Sequence, residues 1–439
     1  MVVIGVTPVK AQEKRTMTVS ELFSLIESNN KRLQVEKTDF EVASKGLEAA
    51  KSQRLPDVNS SLSVSYNGNV LVTDRDFSNA QGYSSPHLGN SFALEASQVV
   101  YAGGAVDAGV RLAELQRQQA SASQQQTREQ LRFMALGQYL DLYKLGNRQQ
   151  VLLQNIALTS RLIDDIKARH SEGMALRNDV TRYELQMENL RLQLRKVEDQ
   201  QTVLNYQLCN TTGLAEGTTI VPDTTLLPDF EQGLPAGTPS HPALLAPSLP
   251  SLQRDAHANS PVLQQAQIGR KMSQQSLRLA KSELLPKVAL VAGDNLNGPY
   301  IYDIPVKDIN VNNWYVGVGI KYPISALFKK NKAVQQARIA TRQSEERQQA
   351  AQEQIDNEVQ QAWTLYQQAF AELAAQRKSV QLARQNYQVV SDRYLSQLAL
   401  ITDMLDASNI KLNAELQEVD ARINIAYNYY KIKYITGTL

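Results

Sequence analysis

The chain has 439 residues, 46 Lys plus Arg against 44 Asp plus Glu, a formal net charge of +2 and a mean hydropathy of −0.36. That balance excludes a strongly basic nucleic-acid binder and an acidic tail, and no stretch reaches the ~20 apolar residues of a transmembrane helix. A single cysteine, Cys209, excludes an intrachain disulfide framework and any multi-cysteine zinc or iron–sulfur centre, and four histidines leave little for metal chemistry.

The chain opens MVVIGVTPVKAQEK. An apolar start and the small residue Ala11 before Gln12-Glu13 match the end of a secretory signal peptide, without its basic n-region. Residues 1–16 are therefore read as a signal remnant or a disordered N-terminus. A helix follows over about 19–54, capped by Thr18 or Ser20 and stopped by Pro56. The period then changes from 3.6 to 2. Val58, Ser60, Leu62, Val64 and Tyr66 share one face of a strand, and Asn59, Ser61, Ser63 and Ser65 the other. A long polar loop (about 67–90) leads to a second strand. It places Phe92, Leu94, Ala96 and Val100 opposite Ser91, Glu95 and Ser97. A helical tract over about 105–172 would be about 100 Å long, and ordinary globular helices stop near ~20 residues. After Gly173 a further tract runs to about Leu208. Tyr183, Leu190, Val197 and Leu204 recur in it every seven residues, with Met187, Leu194 and Leu208 in the companion position.

Residues 213–250 hold seven of the 15 prolines and form a linker. Beyond it the order repeats. A helix over about 261–284 stops before Pro286. Val288, Leu290 and Ala292 begin a strand, and residues 293–313 form a second long loop. Trp314, Val316, Val318, Ile320 and Tyr322 then alternate with Tyr315, Gly317, Gly319 and Lys321. Helical tracts follow over about 326–396 and on to about 434. AKSQRLPDV at 50–58 matches AKSELLPKV at 280–288 at an offset of 230. Arg169-His170 to Asp179-Val180 matches Arg393-Tyr394 to Asp403-Met404 at 224. One unit of about 200 residues is used twice. The domains are thus 1–16, a first repeat at 17–212, the linker at 213–250, a second repeat at 251–434 and a tail at 435–439.

Strands with one apolar and one small polar face allow two architectures. In a soluble coiled-coil scaffold the apolar faces pack on helices. In a membrane sheet they meet lipid while the polar faces line water. Spanning strands need only ~9–11 residues, so a low mean hydropathy is compatible with them. A membrane sheet must close, four strands are too few to do so, and three copies would supply twelve.

Several features occur in order and twice over: AKSQRLPDV and AKSELLPKV before each hairpin, QVVYAGGAVDAG at 98–109, RHSEGMALRNDV at 169–180 and RYLSQLALITDMLDA at 393–407. In this combination the chain resembles the TolC-like outer-membrane efflux protein family from about residue 17 to 434. The resemblance implies a mainly α fold with a small β part. Long helical hairpins would form a periplasmic α-barrel, and four strands per protomer would contribute to a trimeric, twelve-stranded outer-membrane β-barrel. Leu62, Val64, Tyr66, Phe92, Leu94, Trp314, Val316, Val318 and Ile320 would then face lipid. The 67–90 and 293–313 loops would lie outside the cell, and the Pro-rich segment near the equator. Gly173, Met174, Ala175, Gln397, Leu398 and Ala399 would form the tip where a periplasmic adaptor docks. Asp179, Asp403, Asp406 and Tyr394 would sit at the periplasmic constriction. Gln397 stands where the family usually has Gly. Ala399 stands where it can have Arg, so a closure network built on that arginine is not expected. The implied role is an outer-membrane exit duct of a tripartite efflux pump or type I secretion system in a Gram-negative bacterium. It would work with an adaptor, an inner-membrane pump and outer-membrane lipid, and without nucleic acid. The alternative is a coiled-coil scaffold with no transport role.

Three copies of Asp403 and Asp406 round a narrow axis would concentrate negative potential and favour cations. Acids at helix N-termini also favour the helix dipole whatever lines a pore. No HExxH, CxxC, GxxxxGK[ST], GxSxG or GxGxxG motif occurs. No enzyme, cofactor or metal site is expected. His170 is read as a solvated or packing residue and Cys209 as a small apolar filler.

Overall fold

The computed structural model describes residues 14–215, 217–223 and 248–439. The expected signal remnant over 1–13 lies outside them, as do His241 and the linker prolines Pro228, Pro235, Pro239, Pro242 and Pro247. The described chain divides into two compact units. One comprises the residues up to 38 with 122–264 and 350–439, the other 39–121 with 265–349.

The first unit begins with a short strand β1 (Lys14–Met17), paired in parallel with β6 (Thr219–Pro222). These lie at the inner edges of the expected N-terminal remnant and of the linker. A four-residue parallel pair has no period to betray it in the sequence. Helix α1 (Val19–Asn29) is capped by Thr18, whose hydroxyl accepts from the Glu21 backbone N–H at 3.2 Å. The single helix expected over 19–54 breaks at Asn30 (ψ 123°). There the Asn30 side-chain oxygen accepts from the Arg32 N–H and restarts the chain as α2 (Lys31–Ser52). The second repeat is built alike, with α5 (Leu249–Asn259), a break at Ser260 (ψ 119°) and α6 (Pro261–Ser282). Pro250 stands in the first turn of α5, where its missing N–H removes no helical bond.

Four long helices supply most of the first unit: α3 (Ala105–Ser171), α4 (Arg177–Thr212), α8 (Asn331–Leu395) and α9 (Ile401–Ile435). The seven-residue stripe on α4 is its buried face. Tyr183, Met187, Leu190, Val197 and Leu208 are buried, and Leu194 and Leu204 are half-buried against them. A second cluster joins α5, α8 and α9 through Leu252, Val359, Tyr366, Phe370 and Ile425. Cys209 is buried, its Sγ lies 3.4 Å from the Thr218 carbonyl, and burial pushes the thiol pKa up, as befits a space-filling side chain. Among the described residues, no helix is long and apolar enough to cross a membrane.

The second unit carries a four-stranded antiparallel sheet in the order β2 (Asp57–Tyr66), β5 (Leu88–Tyr101), β7 (Lys287–Gly298), β8 (Val311–Lys321). Each repeat contributes one pair of neighbouring strands, and β5 joins the pairs through β7. The loops expected over 67–90 and 293–313 are shorter than the sequence suggested. A small hairpin of β3 (Val70–Val72) and β4 (Gln81–Tyr83) lies within the first, and β7 extends to Gly298. Its last residues, Asp294, Asn295 and Asn297, break the apolar alternation, yet their backbone stays paired with both neighbours. A four-residue helix, α7 (Ala326–Lys329), stands between β8 and α8.

Candidate functional site

Two places carry the features singled out from the sequence, one in each unit. On the sheet, strand register settles which side chains share a face. Leu62 stands opposite Phe92, which stands opposite Leu296. Ala96, Ala292 and Val316 form another row, and Leu290 faces Val318. This face is open. Leu62 is 74% exposed, Val316 75%, Trp314 73% and Ile320 72%. Val64, Tyr66, Phe92, Leu94 and Val318 are exposed beside them. Among the described residues no helix covers these side chains, so they leave the apolar face of the sheet open. Polar residues interrupt it, among them Ser60, Gln98 and an acid. Asp294 stands between Leu94 and Trp314, and its Oδ1 is buried without a partner.

The opposite face is polar. Ser63, Ser91 and Asn297 form one row, with the Ser91 hydroxyl donating to Asn297 at 2.6 Å. Ser61, Ala93, Asn295 and Asn313 form the next, and Asn59, Glu95, Gly293 and Tyr315 the one after it. Tyr315 lies flat across Gly293, where a Cβ would sit 2.5 Å from its ring. Only glycine lets the ring lie down there.

At the helix reversal in the first unit the two repeats are nearly superposable in bonding. After α3, Gly173 takes φ +74°, its N–H donates to His170 O at 3.0 Å, and the Met174 N–H donates to Arg169 O at 2.8 Å. After α8, Gln397 takes φ +63°, with the same bonds to Tyr394 O at 3.0 Å and Arg393 O at 2.7 Å. Both are Schellman caps. Gln397 therefore makes the turn that Gly makes in the first copy. Asp179 then accepts from the Leu176 backbone N–H at 3.2 Å, and Asp403 from Leu400 at 3.1 Å. Both acids close the first turns of α4 and α9. Asp406 lies one turn further along α9 and is exposed, with no such bond.

The two turns touch. Arg169 stacks its guanidinium 5.9 Å from the Tyr394 ring centre and reaches the Leu395 carbonyl at 3.5 Å. Gln397 Nε2 lies 4.0 Å from Met174 Sδ. Burial pushes the Tyr394 phenol pKa up, with the Asp179 charge adding and Arg169 opposing. Below the turns Ile166, Val180, Tyr183 and Met404 pack together. The Tyr183 hydroxyl is buried without a partner, and burial drives its pKa above the ordinary phenol range. His170 Nδ1 lies 2.9 Å from Ala175 O, a bond that helps hold the turn.

The sequence reading missed two kinds of residue. Leu176 and Leu400 occupy the N-caps of α4 and α9, are about 70% exposed, and join Met174 and Leu398 in an apolar tip. Leucine is a poor N-cap, so the residue type alone does not announce these helix starts. Further up the helices, buried Glu415 of α9 accepts from Arg384 Nε at 2.9 Å and from buried Asn155 of α3 at 3.4 Å. Gln186 of α4 bonds Asn409 of α9 at 2.7 Å. These polar links interrupt apolar stripes, which the search for hydrophobic period passes over. Among the described residues, no group of three or more His, Cys, Asp or Glu side chains could hold a metal ion.

A family model described as outer membrane efflux protein matches residues 252–438. A comparison with curated protein sequences found no match. Among solved structures, the chain is similar to CusC (16% identical, TM-score 0.80), covering 95% of this chain and 92% of that one. It is similar to VceC of Vibrio cholerae (15%, TM-score 0.77; 95% and 96%). It is also similar to the CmeC outer membrane channel of Campylobacter jejuni (14%, TM-score 0.78; 96% and 85%). Residues 252–438 thus match the family model of the outer membrane efflux proteins, and the whole chain shares the fold of these solved channel structures.

Proposed function

We propose that the protein is an outer-membrane exit duct, passing small molecules or peptides from the periplasm to the exterior as part of a tripartite efflux pump or a type I secretion system. One observation carries this reading: a four-stranded sheet whose apolar face is largely open while its other face is Ser-, Asn- and Gly-rich. An open apolar face of this size requires lipid or a partner, and the polar face suits a water-filled lumen. The sheet's two edges, β2 and β8, carry unpaired backbone groups that lipid cannot satisfy. Three protomers joined β8 to β2 would close a twelve-stranded barrel and leave no edge.

The duct performs no chemistry of its own. An inner-membrane pump supplies the energy, and a periplasmic adaptor engages the tip formed by Gly173, Met174, Ala175, Gln397, Leu398 and Ala399, with Leu176 and Leu400 added to it. Asp179, Asp403, Asp406 and Tyr394 belong to the periplasmic constriction. Of the three acids Asp406 is the one whose carboxylate is uncommitted to a helix cap, so it is the best placed to attract cations. Inserted in a planar bilayer, the trimer should conduct in discrete steps that divalent cations block. Asp406→Ala should weaken that block, and an unchanged blocking curve would remove Asp406 from the constriction. Gly173→Trp should impair export while leaving trimer insertion intact.

A further inference from the structure

The segment that leaves β8 belongs neither to the four strands nor to the helix reversal. It reads KYPISALFKKNK from Lys321 to Lys332. Ile324, Leu327 and Phe328 are exposed, Phe328 at 69%. Lys329, Lys330 and Lys332 are exposed as well, and none takes part in an ion pair among the described residues. Ala326 and Val334 are buried. Lys330 keeps a right-handed helical backbone (φ −86°, ψ −16°), so the turn runs on from α7 into α8. Phe328 and Lys332, four apart, therefore share one outward face away from Ala326 and Val334.

Two further observations say what meets this face. Residues 309–344 contain no acid and six basic side chains. The corresponding shoulder of the first repeat, after β5, is different: its Asp107 pairs with Arg54 at 2.6 Å and its Glu114 with Arg117 at 2.8 Å. The fold thus does not demand a basic shoulder, and only the second copy has one. The patch also continues the open apolar face of β8, through Ile320 and Tyr322 to Ile324. Long lysines beside exposed aromatic and aliphatic side chains suit an interface, with the stems lying in the acyl boundary and the ammonium groups among phosphates.

We propose that residues 324–332 anchor the duct in the periplasmic, phospholipid leaflet of the outer membrane. Leu327 and Phe328 enter the acyl boundary, and Lys329, Lys330 and Lys332 gather anionic phospholipid headgroups. The proposal rests on the outer-membrane reading above, and its test separates the two.

The chain has two tryptophans, Trp314 and Trp363. A Trp363→Phe variant reports on Trp314 of the strand face alone. A Phe328→Trp variant, with Trp314→Phe and Trp363→Phe, reports on the shoulder. Both are reconstituted as folded trimers in phosphatidylcholine vesicles containing a minor fraction of acyl-brominated phosphatidylglycerol or phosphatidylcholine. The expected result is quenching of the Phe328→Trp reporter. Brominated phosphatidylglycerol should be the stronger quencher, by a local enrichment of about fivefold per lysine, and Lys329→Gln with Lys330→Gln and Lys332→Gln should abolish that preference. Quenching by aqueous iodide alone, or shielding from both quenchers by a second copy, would overturn the proposal. So would equal quenching by the two lipids. If Trp314 itself escapes bromolipid, the outer-membrane reading fails; if Trp314 is quenched and the shoulder is not, only the anchor fails. Should Phe328→Trp not form trimers, Leu327→Trp, at the neighbouring exposed position, reports on the same turn.

Discussion

Gln397 holds the left-handed backbone conformation that Gly173 holds in the first repeat. For a side chain other than glycine this costs about 1–2 kcal/mol, partly offset because glycine is freer in the unfolded chain. Gln397→Gly should therefore stabilise the tip by about 0.5–1 kcal/mol, and Gly173→Val should destabilise it by more, both read in thermal unfolding. Tyr183 tests burial in the same way. Its hydroxyl is buried and unpartnered, so Tyr183→Phe should leave stability unchanged or raise it by about 1 kcal/mol. A clear loss would mean that the hydroxyl finds a partner in the assembled protein. Asp403 and Asp406 should also separate, since Asp403→Ala removes a first-turn cap worth about 0.3–1 kcal/mol and Asp406→Ala removes none. At this scale the sequence was informative about which residues cluster at the reversal, because the 224-residue offset aligned them. It was silent on Asp179 and Asp403 as caps bonded to Leu176 and Leu400, because leucine at an N-cap gives no positive signal.

The long helices were legible from their length and from the Tyr183, Leu190, Val197 and Leu204 stripe. Their polar joints were not, because a joint is defined by residues far apart in sequence. Glu415 meets Asn155 and Arg384 from two other helices, and Arg384→Ala should cost about 1–3 kcal/mol by leaving a buried carboxylate underbonded. Glu129 of α3 gives a pH test. It is buried, one of its oxygens has no partner, and burial pushes its pKa up against the pull of Arg132 and Arg128. Its folded pKa thus lies above the unfolded one, near 4.5. The native state holds the extra proton, so this contribution is complete below the unfolded value and is lost as pH rises through the folded value. Glu129→Gln should flatten that fall and raise the melting temperature at neutral pH relative to the parent. The strands show the opposite limit of sequence reading. Their apolar cores were found by alternation, but the end of β7 was hidden because Asp294 and Asn295 pair through backbone alone. Helix α5 was hidden because Pro250 reads as linker until it is seen in a first turn.

For the molecule as a whole, the repeat was the most useful feature of the sequence. It predicted two like halves, and these appear as α1 with α5, α2 with α6 and two neighbouring strand pairs in one sheet. Near-neutral charge and a low mean hydropathy are consistent with that architecture, since four short alternating strands barely move a chain average. The central claim is that the open face of β2, β5, β7 and β8 meets lipid in a closed trimer. Extraction of the protein from outer membranes, followed by electrophoresis with and without heating, tests it most directly. The account predicts a detergent-dependent trimer that migrates as one species unheated and as a monomer after heating. A monodisperse monomer that stays folded without detergent would contradict it.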